Sequence, residues 1–273
     1  MTSDNLRFIS FTSGSCGNCC LLLYDCGDRR TGILIDAGVS LRRMRQVLEE
    51  EALSLEDISC VLITHDHMDH IRHLGSFCKK LLVPVYAPSL LHGALARNYS
   101  TGAFYRSCAR VLPECAWTPV SPDVNVRYFE VPHDAAQTVG YAIALGDRKF
   151  VLMTDLGRLT PEAISLASGA DTVVIESNYD TGMLLGGNYP YELKMRIFKG
   201  GGHLSNDDCA EAVTRIMHPG LKNLFLCHLS AENNTPDLAY RTTLEALSEI
   251  GVGKGEVNLR VLPRGEATAL MTL

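Results

Sequence analysis

Short apolar runs bounded by polar or glycine-containing turns recur along the chain and predict β-strands. These runs are residues 6–11, 19–24, 33–36, 60–64, 83–87, 124–131, 138–145, 149–154, 172–175 and 224–227. Between them, apolar residues recur every three or four positions, which predicts helices. The helical stretches are residues 40–53, 71 onward, 88–96, 161–167, 190–198, 206–217 and 236–250. This pattern predicts an α/β fold with two mixed sheets face to face and helices outside. Residues 98–122 show no clear period and are predicted to form a loop-rich flap near the site.

The densest polar cluster follows the strand predicted at residues 60–64. Its three imidazoles and two carboxylates come from His65, Asp66, His67, Asp69 and His70. Alternate side chains share a face in extended backbone, so His65 and His67 can bind one ion. Asp69 and His70 then turn toward a second ion at the start of the helix. Imidazole and carboxylate suit zinc, manganese or iron. The alternative is a solvated polar loop.

Four further strands end at residues of the same chemical type. His133, Asp155 and His228 follow predicted strands, and Glu176 follows another. Active sites of open sheets collect at the carboxyl ends of their strands, so we expect these side chains to lie together. His92, in contrast, is predicted to be a surface residue of a helix.

Composition describes an ordinary globular protein. With 273 residues and 46% hydrophobic content, the chain can bury a substantial core. The sequence has neither a signal peptide nor an apolar stretch long enough to span a membrane, so a cytoplasmic location without membrane association is the expectation.

The ten cysteines are then expected to be reduced thiols. For the C-x-x-C of Cys16 and Cys19, small buried side chains are favoured over a zinc knuckle, and Cys60 and Cys227 are predicted core residues.

The charge balance does not imply a broad basic surface. Lys and Arg number 25 against 31 Asp and Glu, which gives a net charge of −6. A polyanion would be held mainly at bound metals and by local cations, namely Arg42, Arg43, Arg45, Lys194, Arg196 and Lys199. Arg42, Arg43 and Arg45 fit a solvated helix face better. The glycine-containing residues 12–18 are compatible with either an anion-binding nest or a plain hairpin loop.

The H-x-H-x-D-H cluster, with Asp36 and the later histidines and aspartate, resembles the motifs of the metallo-β-lactamase superfamily. The resemblance implies an αββα sandwich in which Asp36 orients the histidine loop. It also implies two divalent ions, zinc or manganese with iron possible, that share Asp155. We expect one ion on His65, His67 and His133 and the other on Asp69, His70 and His228.

Two further stretches narrow the resemblance. Residues 176–179 (ESNY) and 202–205 (GHLS) resemble elements of phosphodiesterase members of the superfamily. Together with SGSCGN, PHDA, TDLG and HLSAENN, they resemble the bacterial YycJ/WalJ branch, which implies a metal-dependent nuclease with exonuclease action on DNA rather than RNA. Attack on phosphorus would come from a metal-activated hydroxide, with Asp69 accepting the proton of the water. His203 would contact a phosphate or protonate the leaving oxygen, with Glu176 holding its other nitrogen. His203 as a structural helix-start residue is the alternative.

The interval between Asp155 and His228 is too short for an inserted β-CASP domain, so residues 1–273 are predicted to be one domain. A thioester, lactone or β-lactam hydrolase on the same metal core is the main rival, and a ribonuclease is another. The Glu176–His203 pair favours phosphodiesters. A non-catalytic sensor is disfavoured by the complete ligand set, and a diiron redox enzyme by the lack of an electron-carrying partner domain.

Overall fold

The computed structural model describes residues 5–198 and 202–273, and in them the chain forms two seven-stranded sheets. The strands of the first sheet are β1 (Asn5–Gly14), β2 (Gly17–Cys26), β3 (Arg29–Ile35), β4 (Ile58–Leu62), β5 (Val85–Pro88), β6 (Ala109–Leu112) and β14 (Met271–Thr272). Their spatial order is β14-β1-β2-β3-β4-β5-β6. The strands of the second sheet are β7 (Thr118–Ser121), β8 (Val124–Glu130), β9 (Val139–Leu145), β10 (Arg148–Met153), β11 (Thr172–Glu176), β12 (Asn223–Cys227) and β13 (Asn258–Val261). Their order is β13-β12-β11-β10-β9-β8-β7.

Helices connect many of these strands. They are α1 (Leu41–Glu50), α2 (Met68–Ile71), α3 (Leu74–Leu81), α4 (Ser89–Arg97), α5 (Tyr105–Cys108), α6 (Pro161–Ala167), α7 (Thr181–Gly186), α8 (Tyr191–Arg196), α9 (Asn206–Ile216) and α10 (Pro236–Glu249), with a 3-10 turn at Leu55–Asp57. Ser40, Thr160, Ser205 and Thr235 each cap the helix that follows by accepting a backbone N–H. Such caps satisfy an otherwise unpaired donor and fix where the helix begins. Within the described ranges, none of the helices has the length and apolar character needed to cross a bilayer.

Three hydrophobic clusters account for the layering. Between the sheets, the ring of Phe8 lies 5.6 Å from that of Phe150 and 5.7 Å from that of Phe225. The outer face of the first sheet buries α1, α3 and α4 side chains, and that of the second sheet buries side chains from α6, α9 and α10. Burying an apolar face on each side of each sheet gives four layers. The predicted αββα sandwich of two mixed sheets is confirmed.

The carboxyl ends of the parallel strands place polar residues at one edge of the sandwich. β3, β4, β5 and β6 run parallel in the first sheet, as do β10, β11, β12 and β13 in the second. Asp36, Asp155 and His228 lie just past β3, β10 and β12 and have positive φ angles of 61°, 52° and 55°. Non-glycine residues rarely adopt this left-handed conformation, and it concentrates at functional sites.

Some local predictions were wrong. Residues 98–122 contain α5, β6 and β7, and these strands form one edge of each sheet rather than a loop-rich flap. His92 is buried, not on the surface, because its Nδ1 accepts from the Tyr105 hydroxyl at 2.5 Å and its Nε2 donates to the Arg110 carbonyl at 2.9 Å. β1 and β2 extend toward each other and leave only a two-residue turn at Ser15 and Cys16, so residues 12–18 form the plain hairpin.

The cysteines that were predicted to be buried are buried, with one exception. Cys19, Cys60 and Cys227 are buried, whereas Cys16 is exposed at the hairpin turn. All ten cysteines lie within the described residues, and no disulfide joins any of them. Among the described residues, the side-chain groups arranged to hold a metal contain no cysteine, so the zinc-knuckle alternative has no support.

Candidate metal centre

The central histidine cluster lies on a strand-to-helix turn, as predicted. β4 ends at Leu62, residues 63–67 belong to neither a strand nor a helix, and His67, in extended backbone, is the N-cap of α2. His65 is fully buried, and its ring lies 4.6 Å from that of His67 and 4.1 Å from that of His70. The Tyr141 hydroxyl donates to the Ile63 carbonyl at 2.6 Å and ties this turn to the second sheet.

Asp36 holds this turn in place. Its Oδ1 accepts from the Thr64 backbone N–H at 2.8 Å. Its Oδ2 accepts from the Thr64 hydroxyl at 2.9 Å and lies 2.7 Å from His70 Nδ1. Because Asp36 occupies Nδ1, the Nε2 of His70 is left to face the centre. The predicted orienting role of Asp36 matches these contacts, which are typical of residues behind a metal ligand.

The remaining predicted site residues converge on the same point from the second sheet. The ring of His133 lies 5.2 Å from that of His65. Asp155 Oδ2 lies 3.2 Å from His70 Nε2, and Asp155 Oδ1 lies 3.5 Å from His228 Nδ1. The predicted convergence of the strand ends therefore occurs, with Asp155 between the histidines of the two sheets.

Two groups of donor atoms are close enough to hold one ion each. In each group the candidate ligand atoms lie within 4.8 Å of one another. One group is His65, His67 and His133, and the other is Asp69, His70 and His228. Asp155 forms a further such group with His65 and His70, and another with Glu176, His203 and His228.

Unpaired imidazole nitrogens show that the centre fits a metal. The Nε2 atoms of His65, His133 and His228 are buried and have no hydrogen-bond partner among the residues that the structure describes. A buried polar atom without a partner is costly, so such atoms usually have a ligand. Imidazole and carboxylate donors suit divalent cations such as zinc. The cluster is therefore suited to binding divalent metal ions.

The electrostatics favour the protonation states that a cation requires at His65, His133 and Asp155. Burial lowers the pKa of His65 and of His133, which favours neutral imidazole. Burial opposes ionisation of Asp155, but the neighbouring His228 and His70 outweigh it and hold the Asp155 pKa well below its usual range. The carboxylate is therefore ionised and available as a donor.

Glu176 and His203 lie beside this cluster and contact each other, as predicted. His203 Nδ1 is 2.8 Å from Glu176 Oε1, and the His203 side chain is 25% exposed. Glu176 is fully buried, and its Oε2 accepts from the backbone N–H groups of Leu156 and Leu204. Burial works against protonation of His203, but Glu176 raises the pKa of His203 to about 9.

Other supporting contacts were not anticipated from the sequence. Glu176 Oε1 also lies 2.8 Å from His228 Nδ1, so one carboxylate holds two histidines. The Asn18 amide lies 3.1 Å from Asp69 Oδ2 and 2.8 Å from His70 Nε2. The Ser13 hydroxyl accepts from the His228 backbone N–H at 2.9 Å. The only signal for Asn18 and Ser13 was their place in the small-residue segment 12–18.

The predicted local cations are distributed unevenly. Arg196 Nη1 lies 3.4 Å from Asp134, which follows His133, so this cation is at the edge of the centre. Lys194 donates to the Leu185 and Gly187 carbonyls and serves a structural role. Arg43 donates to the Gly265 carbonyl. Arg42 and Arg45 are exposed on α1, which matches the solvated helix face, and Lys199 lies outside the described residues.

An αββα sandwich with a histidine and aspartate centre at its strand ends is the architecture of metallo-β-lactamase-fold proteins. A family model described as "Beta-lactamase superfamily domain" matches residues 31–228. The chain belongs to the metallo-β-lactamase superfamily, in its YycJ/WalJ branch.

The relatives match over nearly the whole chain. "Exodeoxyribonuclease YycJ" of Bacillus anthracis is 35% identical over 255 residues, which cover 92% of each protein. "Exodeoxyribonuclease WalJ" of Streptococcus pneumoniae strain D39 is 33% identical over 269 residues, which cover 98% of each. Among solved structures, the metallo-β-lactamase fold protein YhfI of Bacillus subtilis superposes with a TM-score of 0.68 at 14% identity, over 96% of this chain and 99% of that one. At this low identity, the YhfI match supports the fold alone.

Proposed function

We propose that this chain is a metal-dependent phosphodiesterase that removes nucleotides from the ends of DNA. The full-length similarity to two proteins named exodeoxyribonuclease carries this proposal. The same names favour DNA over RNA as the substrate. The Glu176–His203 pair adds chemical support, because the leaving oxygen of a phosphodiester benefits from a positioned proton donor.

The proposal includes two divalent ions, zinc or manganese, with iron also compatible with the donors. His65, His67 and His133 would hold one ion. Asp69, His70 and His228 would hold the other, and Asp155 would bridge them. The close spacing of these donor atoms and the unpaired Nε2 atoms support the assignment. Bound ions of this kind lower the pKa of water and stabilise both the attacking and the leaving oxygen of a phosphodiester.

The residues of the chain then have separate tasks. The Asp69 carboxylate accepts the proton of the attacking water. His203 donates its Nε2 proton to the leaving oxygen or holds a phosphate oxygen, while Glu176 orients the ring through Nδ1. Asp36 and Asn18 hold His70 and Asp69 in position through the contacts described above.

Substrate class is tested by one assay on metal-analysed protein with end-labelled DNA, end-labelled RNA and a panel of lactones and thioesters. We expect DNA to be degraded fastest and the carbonyl substrates to remain intact. Turnover of lactones or thioesters with intact DNA and RNA would move the chain to the carbonyl hydrolases.

Asp155→Ala is expected to remove both ions. Asp155 is the only ligand that the two ions are proposed to share. Without it, each ion would keep three protein ligands, and no carboxylate between the two cations would offset their mutual repulsion. Elemental analysis should fall from about two metal ions per chain to near none, whereas Asp171→Ala, which removes a carboxylate near Arg148 and Lys222, should keep both. A parent protein that is fully active with a single tightly bound ion would refute the dinuclear assignment.

A further inference from the structure

A cavity of about 290 Å³ opens beside His203 and His228. We call it the side pocket and define it by Asn178, Leu184, Tyr189, Leu193, Ser230 and Asn233. These residues are outside the proposed metal ligands and the Glu176–His203 pair. The volume is at the lower end of that found for ligand sites and suits one small organic group rather than a length of polymer.

One wall of the side pocket is an apolar cluster of its own. Tyr179, Leu184 and Ile197 are buried together, with Tyr189 and Leu193 packed against them. This cluster is separate from the three clusters that pack the sheets. It comes mainly from the segment of α7 and α8, so this segment adds an apolar and aromatic surface next to the centre. Such a surface can stack against the face of a nucleobase.

Another part of the lining is polar and is tied directly to a proposed metal ligand. The Asn178 amide donates to the His228 carbonyl at 2.6 Å, and the Ser230 backbone N–H donates to the Asn178 carbonyl at 2.8 Å. These contacts tie the pocket lining to His228, so a ligand in the side pocket lies next to the proposed metal centre.

We propose that the side pocket binds the terminal nucleoside of the DNA strand, with its base against Tyr189. This inference rests on the proposed function. It places the diester that joins the terminal nucleoside to its neighbour next to His203 and His228. Hydrolysis there adds one water across a P–O bond and leaves a phosphate monoester on one product and a hydroxyl on the other. A pocket for a single nucleoside makes cleavage depend on a strand end.

The test compares Tyr189→Ala with Tyr191→Ala. Tyr191 is two residues away, is 74% exposed and does not line the pocket, so it is a matched control. The substrates are linear single-stranded DNA with an ordinary end and the same DNA with an abasic terminal nucleotide. The parent and Tyr191→Ala should cut the abasic end about ten-fold more slowly, the scale of a lost base–aromatic stack. Tyr189→Ala should cut both substrates at the same reduced rate.

A binding measurement separates the pocket from the reaction. Calorimetric titration of metal-loaded protein with dAMP should show about ten-fold weaker binding in Tyr189→Ala, with inorganic phosphate binding unchanged. Leu193→Trp, which fills the pocket instead of opening it, should weaken dAMP binding similarly and guards against a folding defect in Tyr189→Ala.

Three results would overturn the inference. One is dAMP affinity that is the same in Tyr189→Ala, Leu193→Trp and Tyr191→Ala. Another is an abasic-end penalty that persists in Tyr189→Ala, and a third is cleavage of covalently closed circular single strands as fast as linear ones. If no DNA is cut but Tyr189→Ala still weakens dAMP binding, the nucleoside pocket is supported and the DNA exonuclease proposal fails.

Discussion

His67→Ala should abolish hydrolysis of DNA while the protein remains folded. His67 belongs to the proposed donor group with His65 and His133, and its removal leaves that ion with too few protein ligands to be held in a reactive geometry. The fold should survive because His67 is only half-buried and, within the described ranges, its side chain makes a single long hydrogen bond, to the Asp134 carbonyl at 3.3 Å. Rates on end-labelled DNA, with circular dichroism and thermal unfolding of the same samples, measure both parts.

The matched control is His218→Ala. His218 is also a half-buried histidine whose Nε2 contacts a carbonyl, that of Ala170 at 3.1 Å, but it lies outside the donor groups. His218→Ala should keep the parent rate on DNA. Chelation of the parent protein should reproduce the effect of His67→Ala, and added Mn²⁺ or Zn²⁺ should restore the rate. DNA hydrolysis that persists in His67→Ala and after chelation would contradict a metal-dependent reaction.

Much of the centre could be predicted because its chemistry is local. The five polar residues of the central cluster lie within six consecutive residues. Because alternate side chains share a face in extended backbone, the spacing already groups His65 with His67 and separates them from Asp69 and His70. The positions of Asp155 and His228 beside this cluster were also predictable, because the carboxyl ends of parallel strands meet at one edge of a sheet. Asp155 and His228 follow β10 and β12, two strands of the same parallel set.

The contacts between distant residues could not be predicted in this way. The contact of Asn18 with His70 and that of Ser13 with His228 depend on where the end of the β1–β2 hairpin lies relative to α2 and to the end of β12. No periodicity in the sequence carries that information. His92 is a comparable case, because its burial depends on Tyr105 and Arg110, which come from a segment with no clear period. The short edge strands β13 and β14 were missed because they are only partly buried.

The double role of Glu176 changes how the acid can be tested. Because Glu176 contacts both His203 and His228, Glu176→Gln is expected to disturb metal binding as well as the orientation of His203. His203 itself is not in either of the two donor groups proposed to hold the ions. His203 is therefore the position at which metal binding and proton donation can be separated.

His203→Ala should leave the metal content at about the parent value and lower the rate of DNA cleavage by roughly 10²- to 10⁴-fold, the usual contribution of general acid catalysis. Single-turnover kinetics isolate the chemical step, and elemental analysis reports the metal. A nitrophenyl phosphodiester has a leaving group that needs little protonation, so His203→Ala should hydrolyse it at a rate much closer to that of the parent. Equal losses on DNA and on the nitrophenyl diester would leave His203 only a phosphate-binding role. Loss of metal in His203→Ala would contradict the proposed division between ligands and acid, because the imidazole would then be supporting the ions rather than the leaving oxygen.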